Sequence, residues 1–145
     1  MPVLTSHVDP GGETYRANRA AQLALLDELG KQLEQAIAGG GERYQQRHRD
    51  RGRLLARERI ERLVDPDSPF LELSTLAAWG TEFTVGATLV TGIGVISGVE
   101  CVIIAHDPTV RGGAMNPFSL RKTVRALEIA RVNRLPVMNL VESGG

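Results

Sequence analysis

The stretch from Val99 to Gly145 constrains the fold more than any other. Val99-Glu-Cys-Val-Ile-Ile-Ala-His106 is a nearly continuous apolar run, the pattern of a strand buried on both faces. Ser119 to Asn133 has helical spacing, and Pro136-Val-Met-Asn-Leu-Val141 is a second short apolar run. Two strands joined by a helix make a βαβ unit, whose crossover is expected to be right-handed. Ligands of open α/β layers sit beyond the carboxyl ends of the strands. Val141-Glu-Ser-Gly-Gly145 lies at such an end. Its glycines let the backbone approach a ligand closely, with N–H groups free to donate.

The preceding segments read as follows. Residues 1–13 are expected to be a flexible tail, with turn chemistry at Asp9-Pro-Gly-Gly12. Thr14 to Ala38 is helical, with Leu26, Leu29, Leu33 and Ile37 on one face, and Gly39-Gly-Gly41 ends it. That face is read either as packed on its own domain or as an arm to a neighbouring subunit. Arg43, Arg47, Arg49, Arg51, Arg53, Arg57, Arg59 and Arg62 face only Asp50, Glu58 and Glu61 in the next segment. Such a run is either a solvated helix surface laced with pairs such as Glu58–Arg62, or a site for phosphates, whose oxygens match guanidinium forks. Asp65-Pro-Asp-Ser-Pro69 breaks the helix, and Phe70–Leu73 reads as a strand. Thr88 to Ile96 is β-patterned, and Ser97-Gly98 signals a two-residue hairpin into Val99. Residues 14–69 are thus expected to form a helical arm, and residues 70–145 the start of an α/β layer.

A chain of 145 residues suits one domain, and a net charge of 0 demands neither nucleic acid nor an anionic membrane. Lys31 and Lys122 are the only lysines among 17 basic residues, a bias that reads as composition rather than as a binding signal. Cys101 is the single cysteine, which excludes an intrachain disulfide and a multi-cysteine metal site and fits a reducing compartment. The first residues carry no signal-peptide pattern, and no apolar run approaches the ~20 residues that span a bilayer. A cytoplasmic protein with no bound metal is expected.

No Gly-x-Ser-x-Gly, His-Glu-x-x-His or P-loop pattern is present. His7, His48 and His106 are scattered. His48 reads as one more polar residue of the basic stretch, and His106 as a satisfied structural histidine. Glu142 is a candidate base, though a strand-end carboxylate bonded to backbone N–H groups is the plainer reading. Ser143 has no histidine near it in sequence to activate it. The backbone remains: the amides of Gly144 and Gly145 suit an oxyanion hole, whose donors can be worth about 3–4 kcal/mol each. Gly112-Gly113 likewise permits close approach of a ligand or a neighbouring strand. In the helix from Ser119, Leu120, Val124, Leu127 and Ala130 form one apolar stripe, and Ile129 and Val132 lie off it, so cover on more than one side is expected.

Taken together, the segments resemble the N-terminal part of the carboxyltransferase (β) subunit of biotin-dependent acyl-CoA carboxylases. The resemblance runs from Arg51-Gly-Arg-Leu-Leu-Ala-Arg-Glu-Arg-Ile-Glu-Arg-Leu-Val64 through Val90-Thr-Gly-Ile-Gly94, Asp107-Pro-Thr-Val-Arg-Gly-Gly113 and Asn133-Arg-Leu-Pro136 to Leu140-Val-Glu-Ser-Gly-Gly145. The propionyl-, methylcrotonyl- and geranyl-type enzymes share these motifs. The resemblance implies a partial crotonase-like (ClpP/crotonase) ββα fold preceded by the helical arm. It implies transfer of CO2 from carboxybiotin, carried on a partner subunit or domain, to the α-carbon of an acyl-CoA. It gives the enolate to the amides at Gly144 and Gly145, and makes Arg111, Gly112 and Gly113 candidates to line the coenzyme A channel. It also raises the basic 43–62 stretch as a contact for coenzyme A phosphates. Its implied partners are a biotin carboxylase/biotin carrier (α) subunit and further β subunits in a homo-oligomer. Met115-Asn116 stands where many relatives carry aromatic residues, which leaves the acyl group open.

Two other readings are set beside it: an acyl-CoA hydratase or isomerase of the crotonase superfamily with Glu142 as base, and a non-catalytic remnant that binds coenzyme A or other subunits. On the carboxylase reading the domain is truncated at Gly145, with one wall of a two-walled site. The 145-residue chain by itself is therefore expected to give no turnover when mixed with acyl-CoA and carboxybiotin. Carboxylated acyl-CoA detected by mass spectrometry in that mixture overturns this expectation.

Overall fold

The computed structural model describes residues 5–144. Its elements are helices α1 (Glu13–Ala38), α2 (Glu42–Arg49) and α3 (Ala56–Leu63), strands β1 (Leu71–Leu73), β2 (Leu89–Ile96) and β3 (Val99–His106), helix α4 (Pro117–Asn133) and strand β4 (Val137–Leu140), with a 3-10 turn at Arg111–Gly113. The chain divides into two compact units, Met1–Lys31 and Gln32–Gly145. In the first unit the N-terminal part of α1 leaves Leu26 and Leu29 exposed, and Asp27 pairs with Lys31 one turn later at 2.7 Å. Ile37, in the second unit, is also exposed, and Ala36 is the only buried residue of α1.

The second unit is built on one four-stranded sheet, ordered β1-β2-β3-β4. β1, β2 and β3 run antiparallel, and β4 joins β3 in parallel, with Val102 opposite Val137 and Ala105 opposite Leu140. The expected βαβ unit is present as β3-α4-β4. The hairpin is also where the sequence puts it: Ile96 pairs with Val99 across Ser97 and Gly98. Their φ values of 51° and 77° are the left-handed pair that a two-residue hairpin turn requires.

β3 is a continuous apolar run because both its faces are covered. Ile103 and Ala105 pack with Val90 against Ala56 and Ile60 of α3. Val102 and Ile104 pack with Leu89 against Ala126 and Ala130 of α4. Ile103 is fully buried, and a side chain of that size contributes roughly 1.5–3 kcal/mol on burial. α3 therefore forms a layer of the core rather than part of an arm. β4 is the sheet's edge and is only half covered, with Met138 exposed. Gly92 in β2 is a close-approach glycine, since a Cβ there would overlap the ring of Phe70.

α4 starts as its residues dictate. The Asn116 side chain accepts from the N–H groups of Phe118 and Ser119, each at 2.9 Å, with Pro117 in the first turn. Such a cap is worth ~1 kcal/mol. The face it buries corrects the sequence reading. Leu120 (57%), Val124 (58%) and Leu127 (44%) are exposed, while Ser119, Lys122, Ala126 and Ala130 are buried. The reason is polar. Ser119 shares a 2.6 Å hydrogen bond with Thr88, and Lys122 donates to the carbonyls of Leu89 at 2.7 Å and Gly86 at 3.2 Å. The lysine bonds satisfy backbone carbonyls at the entry to β2, and small residues at 126 and 130 let the helix lie close to the sheet.

Burial lowers the Lys122 pKa to about 8; Glu72 opposes the shift and Arg57 adds to it. Between pH about 8 and 10.5 the unfolded chain holds a proton at this lysine that the folded chain has released. Stability therefore rises with pH across that window, by a contribution on the order of 3 kcal/mol. In urea titrations of wild type and Lys122→Met from pH 8 to 10.5, the wild type should gain stability with pH relative to the variant. Parallel curves overturn this assignment.

Candidate functional site

The carboxyl ends of the parallel neighbours β3 and β4 point the same way, and the loop after β3 meets the turn after β4. Arg111, Gly112 and Gly113 all have positive φ, 49°, 67° and 74°. Arg111 is the costly member of that run, because its Cβ crowds the backbone in the left-handed region. Its guanidinium lies 5.8 Å from the centre of the Phe83 ring, and Phe83 packs on Phe118 at 5.5 Å. The Gly113 amide turns back to Val110, and the Gly144 amide donates to the Gly112 carbonyl, both at 2.9 Å. A Cβ at Gly113 would overlap the Glu142 carbonyl oxygen. Two segments thirty residues apart in sequence thus interlock through glycines.

Of the residues singled out from sequence, Arg111, Gly112, Gly113 and Gly144 are brought together here. Gly145 lies outside the described residues. The Gly144 amide, expected to be free to donate, is taken by Gly112.

Glu142 departs from the expectation that backbone amides hold it. Arg53 donates to its carboxylate at 3.0 Å, and Arg59 and His48 lie 3.6 and 3.7 Å from it. Arg59, from α3, also donates to the carbonyls of His106 and, at 3.3 Å, Leu140. His48 is not a surface residue of the basic stretch but is buried, its Nε2 3.2 Å from the Leu54 carbonyl. His106 has its pKa lowered, first by burial and then by Arg59, against a hydrogen bond to the Leu140 backbone that raises it. Its Nδ1 is buried without a partner, so it is not the fully satisfied histidine expected. Glu58 is claimed by Arg49 at 2.7 Å instead of by Arg62, and it caps α3 at the Leu55 N–H.

Beside the loop lies a cavity of about 440 Å³, lined by Tyr44, Arg47, His48, Arg51, Thr84 and Arg111 among others. Three guanidinium groups and a phenol suit an anionic, hydrogen-bonding ligand. Sequence reasoning missed that the basic stretch has two destinations. Arg47 and Arg51 line the cavity, while Arg53 and Arg59 reach the end of β4. The available signal was Glu142, a strand-end carboxylate with no nearby cation in sequence. Among the described residues no group of three or more His, Cys, Asp or Glu could hold a metal ion, and no helix is long and apolar enough to cross a membrane.

Comparison with known proteins gives one answer. The carboxyl transferase domain family matches residues 47–145. The chain is 58% identical over 143 residues to a probable biotin-dependent acyl-coenzyme A carboxylase beta2 subunit of Mycobacterium tuberculosis, covering 99% of this chain and 27% of that protein. It is 45% identical over 146 residues to a probable mitochondrial methylcrotonoyl-CoA carboxylase beta chain of Drosophila melanogaster, covering 99% and 25%. Among solved structures it is similar to the β subunit of Pseudomonas aeruginosa geranyl-CoA carboxylase, with a TM-score of 0.88 at 38% identity over 99% of this chain and 27% of that one. It is also similar to the transcarboxylase 12S hexamer with methylmalonyl-coenzyme A bound, with a TM-score of 0.74 at 31% identity over 83% and 25%. The chain therefore spans about a quarter of the length of these relatives. The fold expectation holds: this is α/β structure of the crotonase-like carboxyltransferase type.

Gly113→Ala tests the interlock. The added methyl meets a backbone carbonyl at a residue with φ of 74°, so the loss of stability is expected to be about 1–3 kcal/mol. Thermal and urea unfolding measure it. A variant as stable as wild type removes the close approach of the two segments.

Proposed function

We propose, from the premise that this chain belongs to the carboxyl transferase domain family, that it supplies the acyl-CoA side of a biotin-dependent acyl-CoA carboxylase. The observation that carries the reading is the interlock of Arg111–Gly113 with Glu142–Gly144 at the carboxyl ends of two parallel strands. It joins two loops rich in backbone donors at the place where α/β layers bind ligands. Carboxybiotin, carried by a biotin carboxylase/biotin carrier subunit, supplies the carboxyl group. In the reaction the acyl-CoA α-carbon gives up a proton and gains the carboxyl group, and the biotin ureido nitrogen takes the proton.

The charge that develops on the thioester oxygen as the α-proton leaves is held by the amides of Gly144 and Gly145. The Gly144 N–H is engaged by Gly112 at 2.9 Å. Its donation to the enolate therefore requires that bond to open, so seating the thioester and shifting the 111–113 loop belong to one step. The Arg47, Arg51 and Arg111 cavity takes coenzyme A phosphates. Further copies of the subunit complete a homo-oligomer, as the relatedness to a hexameric transcarboxylase core suggests. Glu142 as the base of a hydratase or isomerase is disfavoured, because its carboxylate accepts from Arg53 at 3.0 Å and stands 3.6 Å from Arg59.

Replacing Arg47 and Arg51 together by Gln should weaken coenzyme A binding about a hundredfold or more, since each charge-assisted contact to phosphate is worth ~1.5–3 kcal/mol. Titration calorimetry on the whole chain measures this. Unchanged affinity moves the phosphates elsewhere. Absence of acyl-CoA carboxylation by the whole protein together with its biotin-carrying partner overturns the functional reading itself.

A further inference from the structure

We infer that Arg59 is a positioning residue, whose guanidinium fork joins the carboxyl ends of β3 and β4 and so sets where the Glu142–Gly144 turn stands. The inference rests on the reading of that turn as the oxyanion side of the site. The last ladder pair between the two strands is Ala105 opposite Leu140. Beyond it the strands diverge, one into the Asp107 loop and the other into Val141 and Glu142. A parallel ladder has no further rung to keep the ends in register there. Arg59 supplies one from another element. Its Nη2 donates to the His106 carbonyl and its Nη1 to the Leu140 carbonyl at 3.3 Å, while Nη1 stands 3.6 Å from the Glu142 carboxylate. One planar group thus spans the last residue of each strand and the first charged residue of the turn.

Stability alone does not explain this arrangement. Among the described residues, two buried side-chain polar atoms lack partners, Arg59 Nε and His106 Nδ1, and both belong to this junction. An unpaired buried polar atom is destabilising, and an apolar side chain at position 59 would avoid it. Departures of this kind from a fully satisfied core gather at functional sites. A lysine could place its charge here but not the fork, because one ammonium nitrogen cannot present two coplanar donors at fixed spacing.

The test compares wild type, Arg59→Met and Arg59→Lys by hydrogen exchange on the whole chain. In both variants the peptides spanning 106–114 and 138–144 should exchange about tenfold faster, while the β2–β3 hairpin keeps its protection. If Arg59→Met does not fold, Arg59→Lys decides. Wild-type protection at both strand ends in Arg59→Lys overturns the proposal, because charge would then suffice. An equal loss of protection throughout the sheet also overturns it, because Arg59 would then be a general stabiliser. In the whole protein with its biotin-carrying partner, Arg59→Lys should lower kcat about tenfold or more at nearly constant KM for acyl-CoA. An unchanged kcat overturns the positioning role. A wild type that carboxylates no acyl-CoA overturns the functional reading, while the junction still stands or falls by the exchange result.

Discussion

β3 must be covered on both faces, and the rest of the second unit follows from that requirement. Its residues alternate between two helices, Ile103 and Ala105 toward α3, Val102 and Ile104 toward α4. A strand in that position cannot be an edge, so β2 pairs on one side and β4 on the other. The hairpin Ser97-Gly98 delivers β2 through two residues, whereas the parallel partner needs a crossover, which α4 provides. The parallel pair in turn sets two strand ends side by side. The glycine-bearing segments 111–113 and 142–144 meet because of that topology, and the Gly144–Gly112 hydrogen bond then joins them.

Polar groups then settle what apolar packing leaves loose. α4 is located by Lys122 and Ser119 as much as by alanines, and its larger apolar side chains face outward. The strand ends are located by Arg59, and the turn by Arg53 and His48 around Glu142. The helix that carries Arg59, α3, packs on the sheet through Ala56 and Ile60, small and medium residues that bring its backbone close enough for that arginine to reach across. Packing fixes distance, and the hydrogen bonds fix register.

The sheet was legible because its signals are local. A nearly unbroken apolar run and a two-residue turn each need only neighbouring residues to interpret. The face of α4 was not legible, because periodicity counts Leu120, Val124 and Leu127 as core and Lys122 as surface. Only the carbonyls of Gly86 and Leu89, which belong to another segment and accept from Lys122, make a buried lysine the better solution. The same holds for Glu142, whose cations lie at positions 53 and 59, and for His48, buried by a loop that closes over it at Leu54. Glycine pairs could be named as places of close approach, but not what approaches. At Gly113 it is the chain's own Glu142 carbonyl.

The charges around Glu142 bear on what the turn can bind. A bare carboxylate next to the Gly144 amide would oppose any negative charge developing there, by about 4 kcal/mol for two unit charges 4 Å apart at an effective dielectric near 20. Arg53 and Arg59 reverse that sign, since they bring two positive charges to one negative. Their roles differ with their surroundings. Arg53 is more than half exposed, so solvent and salt screen its contribution. Arg59 is largely buried, and its charge acts through a less polarisable medium while its fork holds backbone carbonyls. The turn is therefore biased toward anions chiefly by the same side chain that sets its position. A substitution that keeps the charge of Arg59 and loses its geometry separates the two effects.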